Sequence, residues 1–338
     1  MKVLWPVPEA FWWEVAAACP EATFFHTPLW TRLITAIHPE WRDASVGFEL
    51  DGGARAVLPL LETARPIRGL FRDFVSTFGG CYGGMVADVP LEPRSLQKAW
   101  EVVLRSGRLA RLQLTGNPLS RQWGPPRAAA GREDFTHLLD LSPGYEAVER
   151  SFSESTRRWI RKADQVGMAV EAAHDEGSFR AYYAIYEESL RRWADRATSS
   201  YPWKLFETGW RLGLQNPGTM ELWLAKLEER VVAGAWVFYW NRHAVNWHGA
   251  TGSDALSEGA RRGRWPRDFR AGAGLHAAVI RDACARGAAF YDFNPSGGHE
   301  GVAHFKSGFG AHRCPVPRLE IAGRLFPGAS ALVKALRG

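Results

Sequence analysis

Residues 288–312, AAFYDFNPSGGHEGVAHFKSGFGAH, decide how the chain is read. A short apolar strand, Ala288 to Phe293, stops at Asn294 and Pro295. A Gly-rich turn follows, and then Phe305-Lys306-Ser307-Gly308-Phe309-Gly310, a lysine set between aromatics and glycines. Lysine is scarce here, at 7 residues against 35 arginines in a chain of 338. Two ready explanations fail on spacing. His299-Glu300 and His304 resemble HExxH, but three residues separate Glu300 from His304, and two zinc-binding histidines share a helical face only at i and i+4. Lys306-Ser307 follows Phe305, not the glycine that a G-x-x-x-x-G-K-[ST] phosphate loop requires. Zinc and a Walker loop are both set aside, so no metal is expected. No G-x-S-x-G elbow occurs anywhere, which argues against an α/β-hydrolase.

Just upstream, Arg270, Gly272 and Gly274 lead into a predicted helix, AGAGLHAAVIRDACARG, that ends at Gly287. Backbone N–H groups at a helix start favour phosphate, and glycines let a ligand approach closely. The alternative is a flexible lead into the helix. Further upstream, MELWLAKLEERVVAGAWVFYWNRHAVNWHGATG predicts three strands with tight turns at Glu228-Glu229-Arg230 and Asn241-Arg242. GSFRAYYAIYEESLRRWADR predicts a helix. So does Pro143 to Val166, with Phe152, Thr156, Trp159, Ile160, Ala163 and Val166 on one face and Arg157, Arg158, Arg161 and Lys162 opposite. That arginine face either forks onto phosphates or is simply solvated.

The first 140 residues alternate strands and helices. FWWEVAAACP reads as a helix ended by Pro20, and TPLWTRLITAIHP as a second, with Thr27 as N-cap and Pro28 at the first helical position. ASVGFELDGGARAVLPLLETA reads as a hairpin around Asp51-Gly52-Gly53. A helix is predicted over 92–107, then strands at ARLQLTG and DFTHLLDL. ELDGGARAVLPLLE resembles KLEERVVAGAWVFY: either one fold is duplicated, or hairpins look alike.

Single cores seldom outgrow about 250–300 residues, so two domains are expected. Apolar residues make up 46% and charged residues 23%, as in a globular enzyme. Sixteen tryptophans supply core and groove surface. A net charge of +6 permits an anionic partner, but no block of like charges marks a nucleic-acid tail, and DNA is not expected. The four cysteines form no CxxC pair, which fits a reducing cytoplasm. Pro6, Pro8, Glu9 and Glu14 interrupt the start where a signal peptide is apolar. No apolar run is long enough to span a membrane, leaving only peripheral contact open.

ESTRRWIRKADQVGMAVE (154–171), followed by AGLHAAVIRDACARGAAFYDFNPSGG and GVAHFKSGFGAH, resembles the FemAB/FemX-type branch of the GNAT acyltransferase superfamily. The resemblance covers most of residues 150–312. It implies an α+β fold of tandem GNAT-like domains, each a mixed, mostly antiparallel sheet flanked by helices, and the chain has no room for a coiled-coil arm. Residues 1–145 would form the first domain, completed by 314–338, with CPVPRLEIAGRL as the returning strand; residues 146–313 would form the second. It favours duplication over coincidence. Acyl-CoA-binding GNAT enzymes carry a [QR]-x-x-G-x-[GA] loop; here Phe269 takes its first position and Arg270 falls one late.

The resemblance implies transfer from aminoacyl-tRNA to an amine on a peptidoglycan precursor, with acyl-CoA as the alternative donor. A non-catalytic precursor-binding module and an RNA-binding role are the competing classes. Attack of an amine on an ester or thioester needs alignment and oxyanion stabilisation, not a covalent nucleophile. Lys306 matches the family's functional lysine, as a charge for donor phosphate or oxyanion, and Phe305 its stacking partner. Asp292 would orient the amine or tie down the loop. His299 and Glu300 are candidate proton acceptors. Trp247, His248 and Asn294 are candidate substrate contacts, with Arg157 and Arg161. Arg270, Gly272 and Gly274 are the candidate donor-phosphate loop.

Overall fold

In the computed structural model, which describes residues 1–63, 72–78, 81–105, 109–120, 124–125, 133–194, 200–266 and 269–322, the chain divides into two compact units. One is Met1–Phe135 with Pro315–Gly338, the other Thr136–Cys314. The chain passes from the first to the second within the strand Glu133–Asp140.

In the first unit the predicted hairpin forms. Val46–Glu49 pairs antiparallel with Arg55–Leu58, and Gly52 and Gly53 turn it at φ of 86° and 87°. Lys2–Leu4 and Val86–Ala87 extend this sheet on its two sides. The helix Pro93–Arg105 buries Leu96, Ala99, Trp100 and Val103 at helical spacing. They join a core that includes Phe48, Leu58, Leu112 and Leu319. Leu319 belongs to the returning strand His312–Ala322, which lies antiparallel to Leu109–Thr115 with Leu319 opposite Leu114. The predicted positions 323–325 of that strand lie outside the described residues. Thr27 stands at the start of the helix Pro28–Ile37, but its hydroxyl donates backward to the Phe24 carbonyl rather than capping the helix.

In the second unit the three predicted strands are Met220–Leu227, Arg230–Trp240 and His243–Thr251, antiparallel in sequence order. Glu228, Glu229 and Asn241 take the positive φ that their tight turns require. Ala169–Ala173 lines one edge of the trio. Beyond the other edge comes Phe290–Asp292, parallel to His243–Val245, and then Leu138–Asp140, antiparallel to it. Both units are thus α+β, mostly antiparallel sheets flanked by helices. Among the described residues the longest helix is Glu176–Trp193, at 18 residues, and none forms a coiled-coil arm.

Two elements differ from the sequence reading. Pro143 to Val166 is not one helix. It breaks into Tyr145–Ser151 and Glu154–Gln165, because Ser153 starts the second by accepting from the Thr156 N–H. The Ser153 N–H in turn donates to the Gly308 carbonyl at 2.8 Å, tying the break to the motif that opened this section. And the stretch between the Gly-rich turn and Gly308, for which no helix is expected, is helical. Glu300–Ser307 is a helix, preceded by a turn in which Gly297 and Gly298 take φ of 58° and 82°.

Candidate active site

Strand ends and helix starts of the second unit enclose a cleft of about 910 Å³. The helix Ala271–Ala285 contributes its first turns: Arg270 at the N-cap position, Gly272, Leu275 and His276. The strand His243–Thr251 contributes Asn246, Trp247 and His248. The segment after Phe290–Asp292 contributes Phe293, Asn294 and Pro295, and the last helix His299, Phe305 and Lys306. Of the predicted site residues, Lys306, Phe305, Trp247, His248, Asn294, His299, Arg270 and Gly272 therefore converge.

Lys306 is buried, and its ammonium donates to the Asn294 carbonyl at 2.6 Å. Asn294 is held in a left-handed conformation, φ 62°, with its own N–H on Asp292 Oδ1 at 2.7 Å and its amide on the Trp247 carbonyl. A non-glycine residue in this region marks a turn whose shape is imposed by its surroundings. Those surroundings are hydrogen bonds to the residues before and after it.

Other predicted residues lie elsewhere. Asp292 is fully buried and does not line the cleft. Its carboxylate accepts from Thr136 Oγ1 at 2.6 Å and from the Asn294 N–H, and it faces His243 Nε2 at 3.3 Å. Through the Asn294 N–H it holds the start of the turn. Gly274 does not line the cleft either. A Cβ there would stand 2.6 Å from Met168 Cε and 2.8 Å from Ala163 Cβ, so this glycine lets two helices pack. Arg157 caps the preceding helix, its guanidinium donating to the Arg150 and Phe152 carbonyls. Arg161 and Glu300 are exposed, outside the cleft lining.

The cleft also holds residues the sequence reading passed over. Arg192 and Arg261 join Arg270 and Lys306 as its charged lining, and no carboxylate stands among the described lining residues. His276 is buried, with Nδ1 2.8 Å from the Tyr291 hydroxyl. His248 Nδ1 lies 2.6 Å from the Tyr182 hydroxyl. Burial drives both imidazoles down to a pKa of about 3, helped at His276 by the Lys306 charge. Burial also lifts both tyrosines well above the ordinary range. His276 had a signal: it stands four residues after Gly272, on the same helical face. Tyr182 had none, 66 residues from His248.

Rings crowd these polar groups. Phe305 lies 5.6 Å from the His276 ring and 5.3 Å from Phe309, and Trp193 lies 5.0 Å from His299. Among the described residues no group of His, Cys, Asp or Glu could hold a metal ion, and no helix is long and apolar enough to cross a membrane.

Residues 150–307 match the family model of an acetyltransferase (GNAT) domain. Most of the second unit thus matches a GNAT domain, and the match supports an acyltransferase. The whole chain shares its fold with FemX: TM-score 0.72 at 12% identity, covering 100% of both chains. It is also similar to the C-terminal domain of a putative lysylphosphatidylglycerol synthetase from Agrobacterium fabrum, with TM-score 0.55, 10% identity and 97% and 93% of the two chains covered. For L-PGS from Bacillus licheniformis the TM-score is 0.51 at 11% identity, with 90% and 96% covered. None of the curated proteins matches the sequence.

Proposed function

We propose that the second unit transfers an aminoacyl group from aminoacyl-tRNA to the amine of a peptidoglycan precursor peptide, in the cytoplasm. One observation carries the choice of an anionic donor. The described cleft lining has four cationic side chains, Arg192, Arg261, Arg270 and Lys306, and no carboxylate. Such a site attracts phosphate and repels a cationic or metal-borne donor. The resemblance of residues 154–171 and 288–312 to FemAB/FemX-type sequences is what supports the tRNA donor and the precursor acceptor.

In this reading Phe305 stacks on a base or sugar of the donor. Lys306, already spanning to Asn294, adds positive charge where the carbonyl becomes an oxyanion. Trp247, Asn294 and His299 shape the acceptor side. Alignment of amine and ester in one cleft supplies much of the rate.

One feature favours acyl-CoA as a second donor. The helix Ala271–Ala285 starts at the cleft with no side-chain cap bond and no acid in its first turn. Backbone N–H groups at such a helix start suit a pyrophosphate.

The test offers the chain labelled acetyl-CoA and labelled aminoacyl-tRNA with a precursor peptide. Wild type is expected to transfer label from one donor, and Lys306→Ala to do so about 100-fold more slowly. Absence of transfer from both, with precursor still bound, would reduce the cleft to a binding module. A tRNA donor further predicts affinity that falls steeply with salt.

A further inference from the structure

The two cleft imidazoles are tied in the same way. Each presents Nδ1 to the hydroxyl of a fully buried tyrosine, Tyr291 for His276 and Tyr182 for His248, at 2.8 Å and 2.6 Å. Neither hydroxyl makes another hydrogen bond among the described residues. A buried phenol proton must find an acceptor or cost the free energy of an unmade bond. The only acceptor in reach is Nδ1. That nitrogen is then bare, and the neutral ring carries its proton on Nε2.

We propose that His276 donates its Nε2–H to the carbonyl oxygen of the acyl group in transfer, with Tyr291 as the positioning residue that keeps the proton there. The proposal rests on the transferase reading. It makes His276 an electrophilic catalyst, not a base. As the acceptor amine attacks, the C–N bond forms and the carbonyl π pair moves onto oxygen. The Nε2–H steadies that oxyanion, beside the charge of Lys306. Collapse restores the C=O bond and breaks the ester or thioester bond. The amine's proton ends on the departing hydroxyl or thiol, and His276 neither gains nor loses one.

The surroundings agree. A general base works best with a pKa near the operating pH. His276 is pressed the other way by burial and by Lys306, and stays neutral at pH 7. Its ring packs against Phe293, Phe305 and Phe309, with centroids 5.2, 5.6 and 5.8 Å away, contacts that hold the imidazole in place while the Tyr291 hydroxyl fixes which nitrogen is bare. The Tyr182–His248 pair puts a second donor of the same kind in the cleft.

Two measurements on the full chain test this. Nitrogen NMR of the imidazoles should show His276 with a bare Nδ1, a protonated Nε2 and no titration between pH 5 and 9. A protonated Nδ1, or a midpoint near neutrality, overturns the proposal without reference to any substrate. Transfer from acetyl-CoA and from aminoacyl-tRNA is then compared in His276→Phe and His276→Gln. Phenylalanine keeps the packing and loses the donor, so kcat should fall about 100-fold with KM little changed. Glutamine offers an amide N–H but no base, and should recover most of that loss. Equal rates in wild type and His276→Phe, or no recovery by glutamine in a folded variant, also overturn it. If wild type transfers from neither donor, the transferase reading falls and this role with it, while the NMR result still decides the tautomer.

Discussion

The ammonium of Lys306 lies 2.6 Å from the carbonyl oxygen of Asn294, a residue held at φ 62°. The lysine therefore braces the strand-end turn and charges the cleft at once. Lys306→Met keeps the stem and removes both functions. Transfer should fall about 100-fold. The chain should also lose about 1–3 kcal/mol in urea unfolding, the cost of leaving a buried carbonyl unpaired. A stability loss with full activity would separate the brace from the chemistry.

Asp292 is the other end of that brace. Its buried carboxylate gathers Thr136, His243 and the Asn294 N–H. Asp292→Asn keeps the shape but removes the charge. The expected cost is about 2 kcal/mol, as for hydrogen bonds to a charged group. Because Asp292 stands outside the cleft, KM for the donor should hold steady at temperatures where the variant is folded.

Gly274 separates packing from ligand binding. An added methyl would press on Met168 and on Ala163, which has nowhere to move. Gly274→Ala should destabilise the chain by about 1–3 kcal/mol. Donor affinity, measured by titration well below the melting temperature, should be unchanged. A selective loss of donor affinity would restore this glycine to the phosphate loop.

Acid should unfold the protein through its neutral histidines. His248 and His276 have pKa values of about 3 in the folded chain, against about 6.5 when unfolded. Between those values the unfolded chain binds more protons, so stability is full above the upper value and drains as pH falls below it. Each ring should contribute a slope of about 1.4 kcal/mol per pH unit. Urea unfolding at several pH values should show it, and His276→Gln should remove one ring's share. A flat profile from neutrality to pH 5 would contradict burial of neutral imidazoles.

Local pattern carried much of the fold. The meander from Met220 to Thr251 and the helix Ala271–Ala285 follow from side-chain period and turn residues that act over a few positions. The cleft's Phe305, Lys306, Trp247 and Asn294 were legible from one motif and one strand. What escaped depends on distant partners. The helix Glu300–Ser307 begins amid glycines and buries only Lys306, so period gave no sign of it. Asp292 bonds a threonine 156 residues away, and nothing in its neighbours announced a purely internal carboxylate. The tyrosines behind His248 and His276 were likewise invisible, since hydrophobic pattern does not distinguish a core ring from one that sets a tautomer.

The stretch FKSGFG divides its labour. Phe305 and Lys306 reach the cleft. Gly308 and Gly310 leave no room for a Cβ against Thr156 and Ser151, and Phe309 is wholly buried. Selection can therefore act on the two parts independently. A descendant freed from catalysis would drift at the lysine and keep the Gly-Phe-Gly, because the helix break beneath it still needs that fit. On the proposed reading, the second half of the motif would record ancestry, and only the first half whether the chemistry survives.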